Sequence, residues 1–103
     1  MAETTFGRWI QLAEAATAAP RQPGVFQIKV PAGLLEYPSG KSAMVYYAAA
    51  SDLRSDIGDF ADAHAGEDWL CRHMVAPIEL SKALIGTLLE SFTTRFGGAP
   101  RLP

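Results

Sequence analysis

Three stretches of the chain repeat apolar residues every three or four positions, a spacing that places them on one face of a helix. Polar caps, prolines or glycines stand at their ends, as they commonly do at helix boundaries. The predicted helices are residues 5–19 with Thr4 or Thr5 as cap, residues 52–64 with Ser51 or Asp52 as cap, and the segment opened by Pro77 and closed by Gly97.

Three shorter segments have the patterns of strands. Residues 25–30 alternate apolar and polar side chains, which predicts a half-buried strand. Residues 43–49 are apolar on both alternating faces and are therefore expected to form the central strand. Residues 68–76 also alternate and predict a third strand. Cys71 and His73 would share one face of this strand, but two such ligands do not make a zinc site. The run from Tyr37 to Gly40 predicts a turn between the first two strands.

The order of these elements is helix, strand, strand, helix, strand, helix. It predicts an α+β fold, with a small three-stranded, mainly antiparallel sheet flanked by helices. Hydrophobic residues make up 49% of the chain and charged residues 19%, an ordinary globular mixture that can build one core. We therefore expect a single domain over residues 1–103.

Charge and composition indicate which partners and which cellular compartment to expect. The net charge is −2, and the basic residues Lys29, Lys41, Lys82 and Arg95 are scattered, so no nucleic-acid groove is predicted from charge. No apolar run approaches the length of a membrane span, and the first residues lack the pattern of a secretion signal. With Cys71 as the sole cysteine, these features predict a cytoplasmic protein without a membrane partner.

Three short motifs follow one another on the predicted strands and the second helix. They are Gly24-Val25-Phe26, Tyr46-Tyr47-Ala48 and Asp52-Leu53-Arg54. In this order they resemble the GIY-YIG nuclease domain, whose strands carry Gly-Ile/Val-Tyr and Tyr-Ile/Val-Gly before a helix that opens with an Asn-Leu-Arg-like segment. The first helix and the stretch from Leu88 to Gly97 also resemble small bacterial members, so the similarity covers most of residues 6–103. Ala48 stands where the second motif has its last glycine.

The resemblance implies a nuclease site that this sequence has altered. Members of the family cut a phosphodiester with water activated by a tyrosine, an arginine that stabilises the phosphate charge, and a divalent cation held by a glutamate. Phe26 stands at the position of the first-motif tyrosine, Asp56 at that of the arginine, and Ile85 or Gly86 at that of the glutamate. Tyr46 matches the family in identity and position.

These departures predict a catalytically inactive binding or interaction module that needs no cofactor. One alternative is an endonuclease with a rearranged site, dependent on Mg²⁺ or Mn²⁺. Its candidate side chains are Tyr46 and Arg54 for catalysis, Tyr47 and Ser51 for substrate binding, and Glu90 or Glu79 for the cation. A second alternative is a small-molecule or protein-binding domain unrelated to the family.

The partner expected for such a module is a protein or, more weakly, a nucleic acid. The last helix carries a wide apolar stripe that includes Phe92 and Phe96. By default we interpret this stripe as the face that packs against the core. The excess width of this stripe, with Leu34, Leu35 and Tyr37 as exposed candidates in the connection between the first two strands, leaves room for a homodimer surface.

Overall fold

The computed structural model describes residues 6–103, which form three helices and six short strands in an α+β arrangement. This confirms the predicted fold class in outline. The elements in chain order are β1 (Ile10–Gln11), α1 (Leu12–Ala18), β2 (Gly24–Lys29), β3 (Leu35–Tyr37), β4 (Gly40–Ser42), β5 (Met44–Ala50), α2 (Leu53–Ala63), β6 (Leu70–Val75) and α3 (Ile78–Phe96).

The main sheet has four antiparallel strands in the order β1-β6-β2-β5, and β3 pairs with β4 in a separate hairpin. The prediction of three strands with residues 43–49 in the centre is therefore wrong in these details. The central strand is β2, while β5 lies at an edge of the sheet. The strand β5 is apolar on both sides because a helix packs on each: Tyr46 contacts Phe60 of α2, and Tyr47 contacts Phe92 of α3.

Both faces of β2 are buried, so the prediction of a half-buried strand is also wrong. Val25, Phe26 and Ile28 are almost fully inaccessible, and so is the polar Gln27, which is 2% exposed. Gln27 can lie inside because its Oε1 accepts a hydrogen bond of 2.6 Å from Nε of Arg72 on β6. A buried polar group with a partner avoids most of the cost of leaving water.

The first helix is shorter than predicted, because α1 begins at Leu12 rather than near Thr5. The Thr4 and Thr5 caps lie outside the described residues. The segment before α1 runs instead along β6, where the Gly7 amide donates to the His73 carbonyl at 3.0 Å and Ile10 pairs with Cys71. This pairing satisfies backbone groups that would otherwise stand unpaired at a sheet edge.

The connection between β2 and β5 contains the β3–β4 hairpin, whose turn at Pro38 and Ser39 confirms the predicted turn. Tyr37 was expected to be exposed but is buried. Its ring packs edge-on against Phe92, and its hydroxyl donates to the Met44 carbonyl at 2.6 Å. Leu34 is exposed as expected.

Helices α2 and α3 begin and end close to the predicted positions, because local chemistry fixes their ends. Asp52 caps α2 by accepting a hydrogen bond from the Ser55 amide, and Gly97 ends α3 in the left-handed conformation at a φ of 78°. Helices α1 and α2 cover one face of the sheet over the main apolar core, and α3 packs on the other face, chiefly against β5.

Candidate functional site

A pocket of about 310 Å³ opens between the strands β2 and β5 and the helix α2. Its volume is at the lower end of the range typical of small-molecule sites. The residues that line it are Phe26, Tyr46, Ala48, Ala49, Asp56, Asp59 and Phe60. The strands contribute its apolar floor, and α2 contributes both carboxylates and one aromatic ring.

Three aromatic rings line this pocket. The ring centres of Tyr46 and Phe60 are 4.8 Å apart, and those of Phe26 and Tyr46 are 5.9 Å apart. Tyr46 and Phe60 are both half-buried, so part of each ring is still accessible from the pocket. Aromatic faces carry partial negative charge and attract cations.

The two carboxylates of the pocket repel each other, and no cation among residues 6–103 forms a salt bridge with either. Asp56 and Asp59 form no salt bridge within the described residues, whereas Asp52 on the same helix pairs with Arg21 at 3.3 Å. Burial raises the pKa of Asp56, and the nearby charges of Asp59 and Asp52 raise it further. The pocket thus concentrates negative charge beside aromatic rings.

Of the residues singled out from the sequence, Tyr46 lies in this pocket and Arg54 is not among its lining residues. The Arg54 side chain donates from Nε to the carbonyl oxygen of Ala19 at 2.7 Å, so it binds the backbone just after α1. The residue at the position of the family's arginine, Asp56, does line the pocket. The structure therefore brings Tyr46 together with a carboxylate.

The other candidates lie elsewhere. Tyr47 points to the opposite face of the sheet, where burial raises its pKa and Arg72 lowers it in part. Ser51 is exposed in the bend before α2, and Glu90 is exposed on α3. Because α3 packs on the sheet face opposite α2, Glu90 and Tyr46 do not share a site.

The described residues offer little for metal or thiol chemistry. No group of three His, Cys, Asp or Glu side chains in residues 6–103 is arranged to hold a metal ion. Cys71 is fully buried, and burial raises the pKa of its thiol to about 12. A thiol with so high a pKa is almost entirely protonated near neutral pH and is a poor nucleophile.

Sequence reasoning missed Asp59 and Phe60 as parts of the site. The spacing of the acids on this helix is typical of a solvated face, and the spacing of Phe60 is typical of a core residue. The spacing i, i+3 and i+4 from Asp56 does place Asp59 and Phe60 on the same side of a helix, which is a usable signal. What the spacing could not reveal is that β5 lies beside this side of α2.

Comparison with known proteins adds no relative from which a function could be transferred. No protein-family model matches the chain, and neither does any curated protein or solved structure. Among residues 6–103, no helix combines the length and the apolar character needed to cross a membrane.

Proposed function

We propose that this protein is a binding module on a GIY-YIG-like scaffold, and that the pocket between β2, β5 and α2 takes an organic cation, such as an ammonium or guanidinium group. The observation that carries the proposal is the combination of two carboxylates without a salt bridge in the described residues and three aromatic rings around one cavity. The proposed binding needs no cofactor. The buried, solitary Cys71 fits a reducing compartment such as the cytoplasm.

The charge of the pocket favours a cation over a phosphate. A bound ammonium group relieves the repulsion between Asp56 and Asp59 and gains a favourable interaction with the aromatic surface that Tyr46 and Phe60 expose to the pocket. A phosphodiester would instead bring a further negative charge toward both carboxylates. The pocket electrostatics therefore support a ligand of positive charge.

Two features support binding rather than phosphodiester cleavage. Arg54, the sequence-based candidate for a phosphate-stabilising cation, is engaged with the Ala19 carbonyl. Glu90, the candidate cation ligand, is on α3 across the sheet from Tyr46. The rearranged endonuclease would need these three side chains to converge on one phosphate.

The arrangement of the two motif-bearing strands supports the GIY-YIG-like scaffold as part of this proposal. They are adjacent and antiparallel, with Phe26 opposite Ala48 and Ile28 opposite Tyr46, and α2 follows directly. The first-motif glycine, Gly24, lies so close to the Met74 carbonyl oxygen of β6 that a Cβ atom would collide with it. The glycine of the motif thus has a packing role in this chain that does not depend on catalysis.

The proposal is tested by titrating the protein with n-butylammonium and, separately, with the uncharged n-butanol, while backbone amide chemical shifts are recorded by NMR. We expect saturable shifts in β5 and α2 with the cation only. The variant D56N/D59N should lose this binding, whereas D62N/D68N, which removes the same charge from exposed positions outside the pocket, should retain it. Equal responses to both probes, or equal losses in both variants, would contradict the proposal.

The endonuclease alternative has its own test. Purified protein is incubated with supercoiled plasmid and Mg²⁺ or Mn²⁺, and nicking is followed on gels. The binding module is expected to leave the plasmid intact. Nicking that disappears in both Y46F and R54A would instead assign a catalytic site to these residues.

A further inference from the structure

On the sheet face opposite the pocket, Arg72 of β6 is held in place by one polar contact and two aromatic contacts. Its Nε donates to the buried Oε1 of Gln27 at 2.6 Å. Its guanidinium carbon lies 4.6 Å from the ring centres of both Phe6 and Trp9, two residues of the segment that runs along β6. These contacts restrict the rotation of a side chain that usually loses much freedom when it binds a ligand.

A second cation lies at the same ring. Nζ of Lys29 is 4.5 Å from the ring centre of Trp9. Lys29 and Gln27 are two residues apart on β2 and share a face, and Arg72 is the direct partner of Gln27 on β6. Lys29 and Arg72 are therefore diagonal neighbours across two strands, within reach of a common ligand.

Neither cation is neutralised by the part of the chain that the structure describes. Residues 6–103 place no carboxylate within salt-bridge distance of Arg72 or Lys29. The terminal nitrogens Nη1 and Nη2 of Arg72 likewise make no hydrogen bond in this range, and the side chain is only half-buried. Two positive charges thus lie beside each other in a protein whose net charge is −2. Within the described residues, Nη1 and Nη2 of Arg72 are available to donate hydrogen bonds to a ligand.

We propose that Arg72 and Lys29 form a binding site for a phosphate group, either free or as a monoester. The planar guanidinium can donate two parallel hydrogen bonds to phosphate oxygens, and the ammonium adds a second charge. A phosphate monoester carries close to two negative charges near neutral pH, which matches the two cations better than the single charge of a carboxylate. This site uses neither the pocket nor the cation proposed for it.

The experiment is isothermal titration calorimetry with inorganic phosphate, glycerol 3-phosphate and acetate at equal ionic strength, with backbone and arginine Nε–H NMR signals as a second readout. We expect saturable binding of both phosphates, with shifts at Arg72, Lys29 and Trp9. Acetate should bind about tenfold more weakly or not at all. The tighter of the two phosphate ligands distinguishes the free anion from the ester as the natural source.

Variants distinguish phosphate binding at a specific site from the general attraction of phosphate to positive charges on the protein. K29Q should weaken phosphate binding by about tenfold, and R72K, which keeps the charge but loses the planar pair of donors, should weaken it by a similar factor. K82Q removes the same charge as K29Q from an exposed position on α3 and should bind as the parent does. The proposal is overturned if phosphate does not saturate, if acetate binds equally well, or if K29Q and K82Q behave alike in protein whose circular dichroism is native.

Discussion

Replacing Arg72 with methionine removes the guanidinium but keeps an apolar stem of similar length, so it isolates the polar contacts of this side chain. In the folded variant, Oε1 of Gln27 loses its hydrogen-bond donor. The residue stays buried, because Gln27 is only 2% exposed. The ring contacts with Phe6 and Trp9 lose their cation as well.

The expected loss follows from these contacts. A hydrogen bond to a charged group contributes about 1.5–3 kcal/mol, and leaving its buried partner unsatisfied has a comparable cost. Each exposed cation–π contact adds about 0.5–1 kcal/mol. Because Arg72 is half-buried and partly screened by solvent, we expect R72M to lower the free energy of unfolding by about 2–4 kcal/mol.

A double-mutant cycle with Q27L separates the hydrogen bond from the ring contacts. In the Q27L background no buried acceptor is left behind, so R72M should cost only about 1 kcal/mol. Urea denaturation followed by circular dichroism gives the four free energies. A cost of R72M that is the same in both backgrounds would refute the claim that Arg72 stabilises the fold through Gln27.

Four further predictions concern single positions. Gly24→Ala should destabilise the protein by at least about 1–3 kcal/mol in urea denaturation, because a Cβ atom there collides with the Met74 carbonyl oxygen. In contrast, Gly58→Ala in open space on α2 should stabilise it by about 0.5–1 kcal/mol, and a loss at both glycines would contradict this account. Asp52→Ala should cost about 1 kcal/mol by removing the cap of α2, whereas Asp52→Asn should restore most of it; equal losses would show that capping is not the cause. Burial lowers the pKa of His73 below its ordinary value of 6.5, so the unfolded chain binds this proton more readily and the free energy of unfolding should fall as the pH is lowered below about 6.5. His73→Gln should reduce that fall between about pH 7 and about pH 5, and an unchanged slope would contradict the assignment.

The helices and turns of this fold are predictable from sequence where local chemistry determines them. The periodicity of α2 and α3, the Asp52 cap and the Gly97 end all depend on residues within a few positions of one another. The order of strands in the sheet does not depend on neighbouring residues in this way. The strand that pairs with β6, either β2 or β5, becomes the central one. Because β6 comes later in the chain than both, the residues of β2 and β5 do not indicate which of them it will pair with.

The start of α1 shows how a long-range contact overrides a local pattern. Phe6, Trp9 and Ile10 have helical spacing with the residues that follow them. The edge of β6 offers backbone partners to this segment, and Arg72 and Lys29 offer cations to Trp9. Both sets of contacts favour an extended segment, and neither is visible before the sheet is assembled.

Part of the candidate site could be predicted from the sequence. Tyr46 and Asp56 were singled out, the first as a motif residue and the second as a charge reversal at a motif position. The structure brings both into one pocket. The grouping of Lys29 with Arg72 was beyond sequence reasoning, because basic residues far apart in the chain appear scattered until β2 pairs with β6.

The central claim, that the pocket holds an organic cation against Asp56, is tested most directly by the titration of that carboxyl group. The pKa of Asp56 can be followed from its side-chain ¹³C chemical shift with and without saturating n-butylammonium. Without ligand the pKa should lie above the ordinary value of 3.8, because of burial and the charges of Asp59 and Asp52. A cation in the pocket favours the charged carboxylate and should lower this pKa clearly, while n-butanol should not. A pKa of Asp56 that does not change when n-butylammonium is added would contradict the account.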